Sequence, residues 1–94
     1  IIIDANDLLD YPKRMIIKLC NKLDIKFTSR MLSWPVGKRD SDGVWGPYWY
    51  ENVYKSTQFI APSKKSINLK KSLLPIYKEC LSSYNFLFEK RLKL

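Results

Sequence analysis

The sequence predicts a mainly α-helical chain with three to four helices and one short strand. Apolar residues recur at helical spacing over about residues 12–23 and again over about 72–91, and each stripe predicts one long helix. Pro12 and Pro75 stand in the first turns of these two helices, where a missing N–H is tolerated. The strand is predicted at residues 1–5, where Ile-Ile-Ile-Asp-Ala is apolar on both faces.

The segment between the two long helices is predicted to be mostly irregular. Thr28 is a candidate cap for a single helical turn that ends near Ser33. Glycine and proline punctuate residues 35–46, which predicts a loop. Pro47 is then expected to open a helix of about ten residues. Residues 60–71 contain a proline and four lysines and are expected to form an exposed connector.

The short strand at Ile1–Ala5 needs a partner that the chain does not offer. A buried strand with unpaired main-chain groups is unfavourable, and no other segment has a convincing strand pattern. The chain also begins with Ile rather than Met. We therefore expect a carboxy-terminal piece, residues 1–94 forming one portion of a domain. The strand would pair with a missing amino-terminal half or with a second copy of the chain.

The charge balance predicts attraction to anions. Seventeen basic residues against nine acidic ones give a net charge of +8 over 94 residues. A solvated basic surface without a specific partner would have the same composition. Nucleic acid is not favoured, because the basic residues fall in separated pairs rather than in one block; the pairs are Lys13-Arg14, Lys38-Arg39, Lys64-Lys65, Lys70-Lys71 and Lys90-Arg91.

The absence of histidine excludes several chemistries within this chain. Neither a Ser-His-Asp nor a Cys-His nucleophile system can be built, and a zinc site would lack ligands. We therefore assign no catalytic residue and no metal ligand. Cys20 and Cys80 lie on predicted helices, where a free buried thiol is the ordinary state and a disulfide requires direct helix packing.

Asp4, Asp7 and Asp10 are spaced by three, but no calcium-loop glycine follows them, so capping and turn roles explain them better. No apolar run reaches the length of a membrane span, and no signal peptide is recognisable. We expect a cytoplasmic protein that has no membrane partner.

The best functional candidate is the loop Gly37–Trp45, Gly-Lys-Arg-Asp-Ser-Asp-Gly-Val-Trp. Lys38 and Arg39 are adjacent donors between glycines that let the main chain approach an anion, and arginine can hold a phosphate with two hydrogen bonds. In the structural alternative, Asp40 or Asp42 pairs with these cations and shapes the loop. Residue types alone favour that structural alternative.

Aromatic residues cluster directly after this loop. Trp45 and its aromatic neighbours could stack on nucleobases. However, Trp45, Tyr48 or Trp49, and Val53 would share one helix face, which favours packing in a core. Both interpretations stay open at this point, with core packing preferred.

The order of these features resembles the carboxy-terminal third of P-loop sulfotransferases. It is most similar to a bacterial branch with the signature Met-Leu-x-Trp-Pro-x-Gly-x-Arg-x-x-Asp-Gly-Val-Trp-x-x-Tyr-Trp-Tyr, which residues 31–50 match here, followed by Ser-Thr-x-Phe at residues 56–59. The resemblance covers nearly the whole chain. It implies that the helices derive from the end of a three-layer α/β fold of the P-loop NTPase type.

In that family a basic loop binds the 3′-phosphate of 3′-phosphoadenosine 5′-phosphosulfate. The resemblance therefore implies cofactor-binding roles for Lys38, Arg39, Gly43 and Trp45. The order of the basic pair and the glycine differs here, and Asp42 precedes Gly43 rather than following it. The family's phosphosulfate loop and catalytic base belong to an amino-terminal half that this chain lacks. We therefore expect the cofactor in the intact protein but not on this chain alone, which would not be active.

Two alternatives belong to other classes. One is a small basic helical module that binds nucleic acid or a protein partner through the aromatic loop. The other is an inactive remnant with only a structural or interaction role.

Overall fold

The structure, a computed structural model, describes residues 1–63 and 65–94. Over these residues it is mainly helical, as predicted. Lys64, and with it the Lys64-Lys65 pair, lies outside the described residues. The α-helices are α1 (Ala5–Asp10), α2 (Pro12–Leu23), α3 (Gly46–Trp49), α4 (Glu51–Lys55) and α5 (Leu74–Glu89), and 3₁₀ turns occupy Ser29–Leu32, Asp40–Asp42 and Lys71–Leu73.

The predicted strand at Ile1–Ala5 is not formed. Asp4 is the N-cap of α1, and its carboxylate accepts hydrogen bonds from the main-chain N–H groups of Asn6 and Asp7 at 2.9 and 3.4 Å. Ala5 therefore begins a helix, because its neighbour satisfies the donors of the first turn. The three isoleucines predicted a strand at residues 1–5, although Asp4 is also a typical first cap of a helix.

Helix α2 has the bounds that the sequence predicted, and it contains the core. Pro12 is its first residue, and Asp24 ends it in the left-handed conformation with φ of 54°. The N–H of Ile25 returns to the carbonyl of Cys20 at 3.0 Å, which satisfies one of the last carbonyls of the helix. Met15 and Cys20 are the buried hydrophobic side chains of the described chain, and both lie on α2.

The chain is extended for its length. Its radius of gyration is 16.5 Å, whereas a compact domain of this size would have about 12 Å. Helices α1 and α2 pack on each other, while α5 contacts the rest of the chain mainly near its carboxyl end. A large part of the apolar surface is consequently not covered by this chain.

The two ends of the chain are joined by polar contacts. The Arg91 guanidinium forms an ion pair with Asp7 at 2.7 Å, and both side chains are less than a quarter exposed. The same guanidinium lies 3.4 Å from the ring centre of Phe88. The Tyr84 hydroxyl donates to the Asp4 carboxylate at 2.8 Å, so the N-cap of α1 is also a contact for α5.

The apolar stripe predicted for the last helix exists, but the described chain covers it only in part, near its carboxyl end. Helix α5 begins at Leu74 and ends at Glu89, a little shorter than predicted. Four of its stripe residues are between 37% and 47% exposed, whereas Phe88 is half-buried; the four are Tyr77, Leu81, Tyr84 and Leu87. On the other sides Ile76 and Phe86 are about as exposed as ordinary surface residues, at 60% and 61%. Cys80 is exposed and Cys20 is buried, and both are free thiols.

The helix predicted to start at Pro47 is divided into α3 and α4. Tyr50 lies between them with a ψ of 17°, far from the helical value of about −42°. Its N–H still reaches the carbonyl of Gly46, at 2.9 Å, and its own carbonyl accepts from Tyr54 at 2.8 Å. The chain therefore changes direction at Tyr50 without losing its hydrogen bonds.

The Tyr84–Asp4 contact gives the first testable prediction. The hydrogen bond from Tyr84 holds the pKa of Asp4 below its ordinary value of 3.8, against the opposing effect of burial. A lowered folded pKa means that the stabilisation is complete above pH 3.8 and disappears as the pH falls through the folded pKa. The same hydrogen bond raises the pKa of Tyr84, so the stabilisation also disappears as the pH rises through that value.

Tyr84→Phe should therefore lower the free energy of unfolding at neutral pH, and the difference from wild type should shrink in the acid range. Urea unfolding followed by far-ultraviolet circular dichroism at a series of pH values measures this difference. Tyr77→Phe is a matched control on the same helix. A difference for Tyr84→Phe that stays constant down to strongly acid pH would contradict the proposed contact.

Candidate functional site

The predicted loop is held at its base by a short antiparallel contact. Ser33 and Gln58 form a β-bridge, and the main-chain N–H of Trp34 donates to the carbonyl of Thr57 at 2.8 Å. The N–H of Gly37 donates to the carbonyl of Tyr54 at 2.8 Å. The two sides of the loop are thus tied to each other at two levels.

Trp34 anchors this base. Its indole N–H donates to the hydroxyl of Ser56 at 3.0 Å, and that hydroxyl donates to the carbonyl of Val53 at 2.8 Å. Its ring packs edge-on against Phe59 with centres 5.2 Å apart. The Trp-Pro and Ser-Thr-x-Phe parts of the sequence signature therefore have a structural role at the base of the loop.

The interior of the loop is ordered by Asp42. Its carboxylate accepts from the main-chain N–H of Arg39 at 2.9 Å, while its own N–H donates to the carbonyl of Arg39 at 3.1 Å. This reciprocal pair closes the 3₁₀ turn Asp40–Asp42. Gly37 and Gly43 flank the turn with φ values of 108° and 72°, which residues with side chains rarely adopt.

The two basic residues are presented differently. Lys38 is exposed, and Arg39 is half-buried with its guanidinium donating to the carbonyl of Pro35 at 2.7 Å. Among the described residues neither side chain forms an ion pair. In the structural alternative an aspartate pairs with these residues and shapes the loop. Asp42 does shape the loop, but through the main chain of Arg39 rather than through an ion pair with its guanidinium.

The aromatic residues after the loop are exposed. Trp45 and Trp49 stack with ring centres 5.3 Å apart and planes inclined by 13°, yet they are 60% and 71% exposed. Tyr48 and Val44 are also largely exposed beside them. The preferred prediction of core packing is wrong for this chain. The rings instead form an apolar surface next to the basic turn, which we call the aromatic patch (Val44, Trp45, Tyr48 and Trp49).

Sequence reasoning missed the role of Tyr54. Its half-buried ring lies behind the loop, where its hydroxyl meets Gly46 so closely that a Cβ there would clash with it. Desolvation, followed by the nearby Asp42 carboxylate, raises the pKa of Tyr54. The available signal was the buried Gly46 beside Pro47, since a glycine in the first turn of a helix leaves room for a close neighbour.

The structure therefore brings Lys38, Arg39, Gly43 and Trp45 together on one braced loop. Lys38 and Arg39 can donate hydrogen bonds to an anion, and Gly43 lets the main chain approach it. Trp45 can stack on a flat ring. Within residues 1–63 and 65–94 there is no group of three or more metal-ligating side chains. Asp4 and Asp7 serve in the cap and the ion pair described above. None of the described helices is both long enough and apolar enough to span a bilayer.

Comparison with known proteins identifies the family. The family described as "Sulfotransferase domain" matches residues 1–84, which is most of the chain. The chain belongs to the sulfotransferase domain family. The match includes the whole braced loop and the aromatic patch, and it ends within α5.

Two curated relatives come from Arabidopsis thaliana. They are branched-chain-amino-acid aminotransferase-like proteins 2 and 1, which are 38% and 37% identical to this chain over 86 residues, or 92% of it. The chain spans only 15% and 16% of their lengths. The similarity is therefore a similarity to one segment of much longer proteins. No solved structure matches the chain.

The contact between Gly46 and Tyr54 gives a second prediction. In Gly46→Ala the new methyl group would clash with the Tyr54 hydroxyl and lie 3.1 Å from the Cβ of Asp42. Overpacking of this kind costs about 1–3 kcal/mol, so we expect the free energy of unfolding to fall by that amount. Thermal or urea unfolding measures it.

The double variant Gly46→Ala/Tyr54→Phe provides the control, because it removes the atom that clashes most closely. It should recover a large part of the lost stability. Equal stability of Gly46→Ala and wild type, or no recovery in the double variant, would show that the tyrosine does not brace the loop in this way.

Proposed function

We propose that the loop Gly37–Trp45 binds the 3′-phosphate of 3′-phosphoadenosine 5′-phosphosulfate, the sulfuryl donor that sulfotransferases generally use. The observation that carries the proposal is the pair Lys38 and Arg39. Both lie on a loop whose two sides are hydrogen-bonded to each other, and neither side chain forms an ion pair within the described chain. A preformed site with two cations favours a dianionic phosphate, because little order has to be gained on binding.

The roles of the individual groups follow from their chemistry. Lys38 supplies a mobile positive charge, and Arg39 supplies a planar set of hydrogen-bond donors. Gly43 leaves the main chain open to close approach, since a Cβ at this position would meet nothing within 4 Å. The exposed face of Trp45 offers an adenine ring a stacking surface.

The donor molecule itself supplies the activated sulfuryl group, and this chain's residues serve to bind and orient it. We assign no catalytic residue to the described segment. The proposal therefore includes a second part: the sulfuryl-transfer machinery, with a phosphosulfate-binding loop, belongs to further polypeptide that packs against this segment. The exposed stripe of α5 and the two-residue core support this part, because a stable domain covers such surfaces.

A second candidate function rests on the aromatic patch. Exposed stacked tryptophans beside basic residues are typical of surfaces that bind single-stranded nucleic acid. Such binding would be strongly weakened by salt and would not depend on a 3′-phosphate. The first proposal has more support, because the family match covers the basic loop and the glycines that shape it.

Binding of adenosine nucleotides to the protein that contains this chain tests the proposal. We expect adenosine 3′,5′-bisphosphate to raise its melting temperature and adenosine 5′-monophosphate, which lacks the 3′-phosphate, to raise it much less. Arg39→Ala should weaken binding by roughly 10- to 100-fold, because hydrogen bonds to charged groups contribute about 1.5–3 kcal/mol. Isothermal titration calorimetry gives the dissociation constants.

Arg30→Ala is the matched control, since it removes the same charge from an exposed position outside the loop. It should leave the affinity within about twofold of wild type, as a weak long-range charge effect predicts. Equal responses to the two nucleotides, or equal losses in the two variants, would reject the 3′-phosphate site. Tight, salt-sensitive binding of single-stranded oligonucleotides in that case would favour the second candidate.

A further inference from the structure

A second basic surface lies far from the loop in sequence, where the end of the chain crosses α2. The ammonium group of Lys18 donates to the carbonyl of Lys93 at 2.6 Å, and the N–H of Leu92 donates to the carbonyl of Ile2 at 2.8 Å. The last residues are thus fixed between the start of the chain and one face of α2. The family match ends at residue 84, before these last residues.

Two adjoining grooves flank the crossing segment. One has a volume of about 400 Å³ and the other of about 300 Å³. They share Lys22 and Leu92. The larger groove adds Lys90, Arg91 and Lys93 over a floor of Ile1 and Ile2, and the smaller one adds Lys18. We call these two grooves together the tail groove.

The tail groove carries a concentrated positive charge. Five of the residues that line it are basic, and no acidic residue of the described chain lines it. Arg91 is already paired with Asp7, and Lys93 lies 3.6 Å from Glu89 in a solvent-exposed pair. Lys18, Lys22 and Lys90 form no ion pair within the described residues.

The arrangement of these lysines is imposed by the fold. Lys18 and Lys22 are one helical turn apart on α2 and therefore point to the same side. Lys90 is placed by its contact with the ring of Phe86, 4.1 Å from the ring centre. Like charges gathered in one place repel one another, and a bound multivalent anion relieves that repulsion.

We propose that the tail groove binds a compact cluster of phosphate groups. Three unpaired ammonium groups match a ligand with two or more phosphates, because lysine binds phosphate as a point charge and tolerates varied geometry. Single-stranded nucleic acid is disfavoured here, since no aromatic side chain lines either groove on which a base could stack. The ligand chemistry is that of an inorganic polyphosphate or of a multiply phosphorylated headgroup.

This site is independent of the loop at residues 37–45, because the two share no residue. Inorganic tripolyphosphate is the probe, and calorimetric titration at low ionic strength measures its affinity for the protein. Lys18→Gln/Lys22→Gln should weaken binding by at least roughly tenfold, since it removes two of the three unpaired charges. Both lysines are exposed. Because Lys18→Gln also removes the bond to the Lys93 carbonyl, the single variant Lys22→Gln, which keeps that bond, is measured beside it and should also weaken binding.

Two matched controls accompany this variant. Lys65→Gln/Lys70→Gln removes the same total charge outside the tail groove and should change the affinity by no more than about twofold. Lys38→Gln/Arg39→Gln removes the charges of the loop, and with them any tripolyphosphate that the loop itself binds, but should retain the binding event that Lys18→Gln/Lys22→Gln weakens. It should abolish binding of adenosine 3′,5′-bisphosphate if the proposed function is right, so failures of the two proposals can be told apart.

A second experiment distinguishes a lipid headgroup from a soluble ligand as the source of the phosphates. Vesicles containing phosphatidylinositol bisphosphate are compared with vesicles in which phosphatidylserine supplies the same total charge. Preference for the phosphoinositide, lost in Lys18→Gln/Lys22→Gln, indicates a lipid headgroup; binding of tripolyphosphate without vesicle binding indicates a soluble ligand. Equal losses in the two double-lysine variants would overturn the proposal. So would tighter binding of a thymidine oligonucleotide than of tripolyphosphate.

Discussion

The smallness of the core is the constraint on which the rest of the structure depends. Within the described chain only Met15 and Cys20 among the hydrophobic side chains are buried, and both belong to α2. Polar contacts therefore have a large share in fixing the other segments: Arg91 with Asp7 for the end of the chain, and the Ser33–Gln58 bridge for the loop. Polar contacts of this kind define geometry well but contribute little net stability. The exposed apolar surface of α5 can pack against further polypeptide.

Because polar contacts hold the outer segments, the candidate site can be ordered although the core is small. The loop needs no core beneath it, because Tyr54 braces it from behind and Asp42 closes its turn from within. The carboxylate that could have neutralised Arg39 is occupied by that residue's main chain. Positive charge is thereby retained for a ligand while the loop stays shaped. In the tail groove, Asp7 likewise fixes Arg91, while Lys18, Lys22 and Lys90 form no ion pair within the described residues.

The sequence was informative where a local rule acts alone. Pro12 and the apolar periodicity predicted α2 with its observed bounds, and the glycines predicted the loop. It failed where the outcome depends on distant contacts. Ile1–Ala5 was predicted as a strand because the three isoleucines outweighed the local cap signal of Asp4, and the bond of Asp4 to Tyr84, eighty residues away, has no signature in a local pattern. The exposure of Trp45 and the brace at Tyr54 were missed for the same reason, since periodicity shows which residues share a face but not what covers it.

The central claim is that the loop Gly37–Trp45 receives the 3′-phosphate of the sulfuryl donor. The most direct measurement is a titration of the isotope-labelled protein with adenosine 3′,5′-bisphosphate, followed by the nitrogen–proton correlations of its main-chain amides and indoles. The account predicts that the largest shifts fall on the amides of residues 37–46 and on the indole of Trp45. Shifts confined to the neighbourhood of Lys18 and Lys22, or no saturable shift in the loop, would contradict it.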